Sequence, residues 1–110
     1  MINLPANPTL QDLQQYVRKI EEERGFVDES VIDKCLLLGD EVGELFRAVR
    51  ALSGIGVDPD RPIQNVAEEL ADVLQFVVAI ANRYDVNLEE ALREKEERNA
   101  RRQWNRLEET

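Results

Sequence analysis

Apolar residues recur along most of the 110-residue chain at intervals of three and four, the spacing that places them on one face of an α-helix. No segment shows the strict apolar and polar alternation of a half-buried strand. Four helices are predicted: Thr9 to about Arg24, Asp28 as cap to near Ser53, a start between Ile63 and Val66 to about Tyr84, and a last helix capped by Asn87. We therefore expect an all-α four-helix bundle.

The predicted third helix contains the sequence EELADVLQFVVAIA, from Glu68 to Ala81. Ten of the twelve residues from Leu70 to Ala81 are apolar, which is typical of a helix inside a bundle. Glu69 and Asp72 nevertheless lie three residues apart, close to one side of it. Because an ionised carboxylate without a partner is costly in such surroundings, a compensating group is expected near them.

The predicted second helix carries a similar pair, Glu41 and Glu44, within GDEVGEL. Its apolar seam is formed by Val31, Cys35, Leu38, Val42, Leu45 and Val49. Glu41 lies about 80° from the centre of that seam, and Glu69 is placed likewise on the third helix. If the two helices pack antiparallel, the four carboxylates converge. The alternative is that each pair points separately into water.

The composition limits the partners and the kinds of catalytic or metal site that the chain can have. Lys and Arg total 14 against 23 Asp and Glu, giving a net charge of −9, which argues against binding duplex nucleic acid or an anionic membrane. The absence of histidine excludes Ser-His-Asp catalysis and His-ligated zinc. An all-carboxylate site favours a hard cation, Mg²⁺ first and Mn²⁺ as a substitute.

The chain is also expected to be a single domain spanning residues 1–110, because it shows no repeat and no linker. Its one cysteine, Cys35, allows no internal disulfide, which is consistent with a cytoplasmic protein. No apolar run approaches the roughly 20 residues that span a bilayer.

Three ordered motifs resemble those of the all-α NTP pyrophosphohydrolases, and among them the MazG-like group. Glu41-Val-Gly-Glu44 and Glu69-Leu-Ala-Asp72, separated by 24 residues, resemble the ExxE…ExxD signature of that superfamily. The ERGF segment (23–26) and the pattern Lys95-x-x-x-Asn99-x-x-Arg102 (95–102) resemble two further family segments. The resemblance extends from about residue 10 to residue 104.

The resemblance implies Mg²⁺-dependent hydrolysis of a nucleoside triphosphate to the monophosphate and pyrophosphate. It also implies a four-helix bundle that forms homodimers, often paired into homotetramers, with sites completed across subunits. Glu41, Glu44, Glu69 and Asp72 become the metal ligands. Many relatives have glutamate where this chain has the shorter Asp40, so the reach of that position is reduced by about one methylene.

Other residues receive roles in the same scheme. Either Glu41 or Asp40 is expected to accept the proton of the attacking water. Lys95, Asn99 and Arg102 share one face of the basic fourth helix, which favours contact with phosphates, although pairing with neighbouring glutamates is the alternative for basic residues there.

Base recognition is predicted from position and aromatic character. Phe26 and Trp104 are candidates to stack on the base, and simple packing is the alternative for both. Lys34 and Leu37 lie on the same side of the second helix as Glu41, so we expect them to line the pocket.

Two other functions fit the same sequence. One is a helical dimerisation or regulatory module without turnover. The other is a pyrophosphohydrolase that acts on a phosphoribosyl nucleotide, because enzymes of that kind share the superfamily.

Overall fold

The computed structural model describes residues 2–56, 60 and 65–102. These residues form four helices and no strand: α1 Leu10–Arg24, α2 Val31–Leu52, α3 Val66–Arg83 and α4 Leu88–Arg101. The all-α prediction is confirmed, and the predicted ends of the first three helices lie within one residue of the observed ends. α2 packs most extensively on α3, α1 packs on α3, and α4 packs on α1.

Side-chain caps explain where the helices begin. Thr9 and Asp12 form the predicted reciprocal capping box at α1, and Asn87 accepts a hydrogen bond from the backbone N–H of Glu90 at α4. These hydrogen bonds satisfy backbone donors that the first turn of a helix leaves without partners.

The predicted cap of α2 is wrong. Ser30 caps the helix in place of Asp28, because its hydroxyl accepts from the backbone N–H of Asp33 while the Asp33 carboxylate accepts from the backbone N–H of Ser30. The third residue after Asp28 is Val31, whose side chain cannot return a hydrogen bond.

α2 and α3 run antiparallel, as predicted for consecutive helices. Lys34 of α2 lies over the ring of Phe76 of α3, with its Nζ 5.5 Å from the ring centroid. Further along α2, Glu41 lies close to Glu69 and Asp72 of α3. Rising residue numbers on one helix therefore meet falling numbers on the other.

The face that α2 buries differs from the predicted seam. Lys34 and Ala48 are buried, whereas Cys35 and Val49 of the predicted seam are exposed. Lys34, Glu41 and Ala48 recur every seven residues, so Glu41 lies near the centre of the inward face instead of at its edge. The seam was misplaced by about 80° because the inward face carries polar residues that an apolar pattern does not reveal.

The buried core is small and lies mainly between α1 and α3. Val17, Val78 and Ala79 form its buried cluster, with Leu13, Tyr16 and Leu88 packed against it. The radius of gyration is 17.5 Å, against about 13 Å for a compact chain of this length. The arrangement is therefore open.

Large apolar side chains remain exposed on the side of α2 that points away from α3. We call this surface the α2 outer stripe; it consists of Ile32, Leu36, Gly39, Gly43 and Phe46. Phe46 is 64% exposed. Within the described ranges, no helix is both long enough and apolar enough to cross a bilayer.

Candidate active site

Three carboxylates from two helices converge on one point. Glu41 of α2 and Glu69 and Asp72 of α3 each offer one oxygen, and these three oxygens all lie within 4.8 Å of one another. We call this group the carboxylate cluster. Glu69 is only 1% exposed, although an ionised side chain is rarely buried without a partner.

The charge of the carboxylate cluster is not balanced by the protein. In residues 2–56, 60 and 65–102, no ion pair involves Glu41, Glu69 or Asp72. Burial raises the pKa of Glu41 to about 7, aided by a hydrogen bond with Glu69 and by the negative charges of Asp72, Glu69 and Glu44. The Oε2 atom of Glu69 is buried and accepts no hydrogen bond from the described residues.

This geometry fits a hard divalent cation. All three donors are carboxylate oxygens. Mg²⁺ and Mn²⁺ prefer oxygen ligands, whereas softer metals prefer nitrogen or sulfur ligands. A buried oxygen without a hydrogen-bond partner is costly unless another group satisfies it. A cation among Glu41, Glu69 and Asp72 would satisfy that oxygen and offset the mutual repulsion of the three charges.

A cavity of about 290 Å³ extends from the carboxylate cluster between α1, α2 and α3. Glu41 and Asp72 line one end of it, and Lys34, Phe26 and Phe76 line the other. Lys34 and Glu41 are seven residues apart, which corresponds to about 10.5 Å along the axis of α2. The cavity volume is at the lower end of the range for small-molecule sites, about 300–1,000 Å³.

Lys34 is held in place by both rings and charges. It is 3% exposed, and its Nζ lies 5.0 Å from the centroid of the Phe26 ring and 5.5 Å from that of Phe76. The same atom lies 3.5 Å from Glu29 Oε2 and 3.9 Å from Glu21 Oε2. Cation–π attraction and the two ion pairs therefore offset the cost of burying the ammonium group.

Arg83 fixes the wall beside Lys34. Its guanidinium donates two hydrogen bonds to the Glu21 carboxylate, at 3.0 and 2.6 Å. It also donates to the carbonyl oxygens of Glu29, Phe26 and Ala79, at 2.9, 3.1 and 3.0 Å. The hydrogen bond to Glu21 is the main reason that the pKa of Arg83 is raised. We call Glu21, Glu29, Lys34 and Arg83 the ion-pair network; two acids and two bases make it formally neutral.

The structure brings three of the four predicted metal ligands together. Glu44 lies outside the carboxylate cluster, and its Oε2 is 3.1 Å from Arg47 Nη1. Asp40 is exposed and lines a separate groove on α2, beside Glu44. A metal-binding role for Glu44 and a proton-accepting role for Asp40 stay predictions.

The predicted substrate-binding residues fall into three groups. Phe26, Lys34 and Leu37 line the cavity, as expected from their positions. Lys95 and Asn99 lie on α4 and Arg102 is its C-cap, and the residues lining the cavity come from α1, the α1–α2 loop, α2 and α3. Contact of these three residues with phosphate stays a prediction. Trp104 lies outside the described residues.

Several residues of the site were not identified by sequence analysis. Glu21 and Arg83 are separated by 62 positions, and no local pattern connects them. Gln75 lines the cavity one turn beyond Asp72, and these two residues are the only interruptions in the apolar run from 70 to 81. That interruption was the signal available for Gln75.

Comparison with known proteins agrees with the motifs and the fold. Residues 29–107 match the model of the MazG nucleotide pyrophosphohydrolase domain. YvdC of Bacillus subtilis (strain 168), a protein of uncharacterised function, is 32% identical over 101 residues, covering 84% of this chain and 94% of YvdC.

A solved structure is similar as well. The crystal structure of YPJD from Bacillus subtilis, described as a candidate pyrophosphatase, superimposes with a TM-score of 0.77 at 27% identity. The match covers 90% of this chain and 100% of the YPJD chain. The predicted resemblance is confirmed, and the matches support nucleotide pyrophosphohydrolase activity. The chain belongs to the MazG nucleotide pyrophosphohydrolase domain family.

Proposed function

We propose that this protein is a Mg²⁺-dependent hydrolase that converts a nucleoside triphosphate, with ribose or deoxyribose, to the monophosphate and pyrophosphate. The observation that carries the proposal is the buried Glu69 oxygen without a hydrogen-bond partner, inside a cluster of three carboxylates. The cavity that begins at this cluster provides space for the remainder of a nucleotide. Such an activity would serve to remove unwanted nucleotides or to control their pools.

Glu41, Glu69 and Asp72 would hold the cation. When bound, Mg²⁺ would neutralise phosphate oxygens and lower the pKa of water; Mn²⁺ has similar ligand preferences and is a possible substitute. By holding the cation, these carboxylates would set where the phosphates bind relative to the cavity. The water oxygen then bonds to the α-phosphorus, the bond to the bridging oxygen breaks, and pyrophosphate leaves.

Glu41 is the better placed of the two candidates for the proton acceptor. It lines the cavity, whereas Asp40 lines a groove on another side of α2. A general base must lie within hydrogen-bonding reach of the proton that it removes. We therefore assign the proton of the attacking water to Glu41.

The opposite end of the cavity would take the nucleoside. The rings of Phe26 and Phe76 line it together with the stem of Lys34. Aromatic faces and an apolar stem suit a planar base, and a neutral ion-pair network does not repel one.

We further propose that two copies of the chain pair through the α2 outer stripe. Ile32, Leu36 and Phe46 are 70%, 68% and 64% exposed, and a Cβ atom placed on Gly39 or Gly43 would meet nothing within 4 Å. Glycine inside a helix costs about 1 kcal/mol relative to alanine, and here it allows the close approach of another backbone.

The charges beside this stripe are self-complementary. Asp40 and Glu44 precede Arg47 and Arg50 along the same groove. Because charges of both signs are mixed along this groove, two identical copies would not meet as surfaces of like charge. Sedimentation equilibrium should therefore detect a dimer or a tetramer, and Leu36→Asp should shift it to monomer; a monomeric wild type would contradict this arrangement.

Such pairing would also give Lys95, Asn99 and Arg102 a partner site. In one chain these residues lie away from the cavity lining. A second copy could bring its basic α4 to the triphosphate, whose charges require cationic or amide donors. Lys95→Met and Arg102→Met should then raise KM for the nucleotide.

Pyrophosphate release is the direct test of the main proposal. The protein is incubated with each NTP, each dNTP and phosphoribosyl-ATP, with Mg²⁺ or with EDTA. We expect release from nucleoside triphosphates with Mg²⁺ only. Glu41→Gln and Asp72→Asn should abolish it with unchanged helical content, while the exposed neighbour Glu68→Gln serves as the matched control.

The alternatives give different results in the same assay. Release from phosphoribosyl-ATP alone would replace the proposed substrate class. No release from any compound would identify a regulatory or dimerisation module. Turnover at the wild-type rate by Glu41→Gln or Asp72→Asn would refute the assignment of the ligands.

A further inference from the structure

The nucleoside end of the cavity offers hydrogen-bond donors more readily than acceptors. Both oxygens of the Glu21 carboxylate accept from Arg83. Both oxygens of Glu21 are therefore engaged, and the Glu29 carboxylate lies against the Lys34 ammonium. The donors beside them are Lys34 and Arg24, and both residues line the cavity.

Lys34 has donor capacity left. Its two ion pairs, at 3.5 and 3.9 Å, are longer than the roughly 2.7–2.9 Å of a charge-assisted hydrogen bond. An ammonium group has three N–H donors and no acceptor. Among the described residues, Arg24 has no polar partner, so a second cationic donor borders the same end of the cavity.

The position of the Lys34 ammonium is fixed before any ligand binds. The rings of Phe26 and Phe76 both lie within 6 Å of it, and Glu21 and Glu29 hold it from other directions. A group held in this way loses little freedom when it forms a further hydrogen bond, and it cannot turn away from an unfavourable neighbour without breaking those contacts.

We propose that Lys34 is a specificity-determining residue and selects nucleotides whose base has a carbonyl at the edge that it faces; this rests on the proposed function. Uracil, thymine, guanine and hypoxanthine present such an oxygen, which accepts from the ammonium. Cytosine and adenine present an amino group at the equivalent position, so that two donors face each other and one loses its hydrogen bond.

Gln75 has a different place in this scheme. It lines the cavity between Asp72 and Phe76, about 4.5 Å along the axis of α3 from Asp72. In the proposed arrangement, Gln75 would border the ligand between the carboxylate cluster and the Phe76 ring. Its amide both donates and accepts, so it does not distinguish a carbonyl from an amino group.

Binding of matched nucleotide pairs tests the selectivity of Lys34. The affinities of α,β-imido analogues of dUTP and dCTP, and of dITP and dATP, are measured by calorimetry with Mg²⁺. Within each pair the members differ only at the edge carrying the carbonyl or the amino group. We expect about tenfold tighter binding of the carbonyl member in both pairs.

Variants identify the residue responsible. Lys34→Met keeps the apolar stem and removes the donors, so both ratios should fall towards one, while Lys19→Met, an exposed lysine of α1, should leave them unchanged. Equal affinities within either wild-type pair, or ratios that persist in Lys34→Met, would overturn the inference. Equal affinities in the wild type would overturn the inference even if Lys34→Met fails to fold.

The same measurements keep the inference separate from the proposed function. Non-hydrolysable analogues report binding whether or not the protein turns over its natural substrate. Absence of pyrophosphate release with a preserved carbonyl preference would remove the enzymatic proposal alone. Hydrolysis of all nucleotides with equal affinities would remove the role of Lys34 alone.

Discussion

The two ends of the cavity both contain buried carboxylates, but different groups face those carboxylates. At one end, Glu41, Glu69 and Asp72 meet one another, and the described residues supply no positive charge to them. At the other end, Glu21 and Glu29 meet Lys34 and Arg83 at 2.6–3.9 Å. The first end has an excess of negative charge, whereas the four charges of the ion-pair network balance one another at the second.

This difference distinguishes carboxylates that stabilise the fold from carboxylates that are suited to bind a ligand. A carboxylate balanced within the chain, such as Glu21, adds to stability because its charge and its hydrogen bonds are both satisfied. A carboxylate with no countercharge among the described residues, such as Glu69, lowers stability, and a bound external cation would offset that cost. Substitutions at the two ends should therefore change stability in opposite directions.

The largest expected effect is at the neutral end. Arg83→Met removes five hydrogen bonds and leaves the Glu21 carboxylate without its main partner. We expect the free energy of unfolding to fall by about 3 kcal/mol, measured by urea denaturation. A loss of less than 1 kcal/mol would mean that the network is not a stabilising element.

The second prediction concerns activity at the anionic end. Glu69→Gln keeps the shape of the side chain but removes a charge from the carboxylate cluster, and kcat should fall by about 100-fold or more. The unfolding free energy in EDTA should not fall, because the substitution relieves repulsion. Glu68→Gln, on the exposed side of α3, is the control for both measurements, and a similar kcat for the two variants would contradict the site.

The third prediction concerns pH. Because the pKa of Glu41 is raised from 4.5 to about 7, the folded state binds a proton more tightly than the unfolded state. The stability of wild type relative to Glu41→Gln should thus decrease as pH rises from about 4.5 to 7 and stay lower above that range. In EDTA at pH 8 the variant should be more stable by about 2 kcal/mol.

Added Mg²⁺ should make the wild type more stable than Glu41→Gln. A cation that binds the folded state alone stabilises it by mass action, and wild type retains all three carboxylates. Thermal denaturation at pH 8 with and without Mg²⁺ measures the change. If wild type and Glu41→Gln respond equally to the cation, Glu41 is not one of its ligands.

The smallest effect is expected at an exposed ion pair. Arg93 Nε lies 3.0 Å from Glu89 Oε2 on α4, and the two side chains are 75% and 53% exposed. Arg93→Met should lower the unfolding free energy by about 0.5 kcal/mol or less. If Arg93→Met lowered the unfolding free energy as much as Arg83→Met, burial would not explain why the ion-pair network is more stabilising than an exposed ion pair.

The helices were predictable because their signals are local. Thr9 with Asp12 and Asn87 before Glu90 are capping patterns that need only a few adjacent residues. The cap of α2 was misassigned because Asp28 and Ser30 are both good caps and only Ser30 has Asp33 at the reciprocal position. The convergence of Glu41 with Glu69 and Asp72 was predictable from helical spacing and from the antiparallel packing of two consecutive helices.

The rest depends on contacts between distant segments. The burial of Lys34 could not be read from its neighbours, because it depends on Phe26 before α2 and on Phe76 in α3. Arg83 ends an apolar run and resembles a residue that complements a helix C-terminus, whereas its actual partners lie near residues 21–29. Periodicity describes one helix at a time and does not identify such partners.

Arg83 has one more consequence, for how a ligand enters. By accepting from this side chain, the carbonyl oxygens of Phe26 and Glu29 tie the segment between α1 and α2 to the body of α3. A segment anchored at both ends is a poor lid, because opening it would break both of these hydrogen bonds at once. Exchange of substrate and product should therefore proceed past the exposed side of Asp72, and its rate should be insensitive to sequence changes at the tip of that segment, such as Val27→Ala.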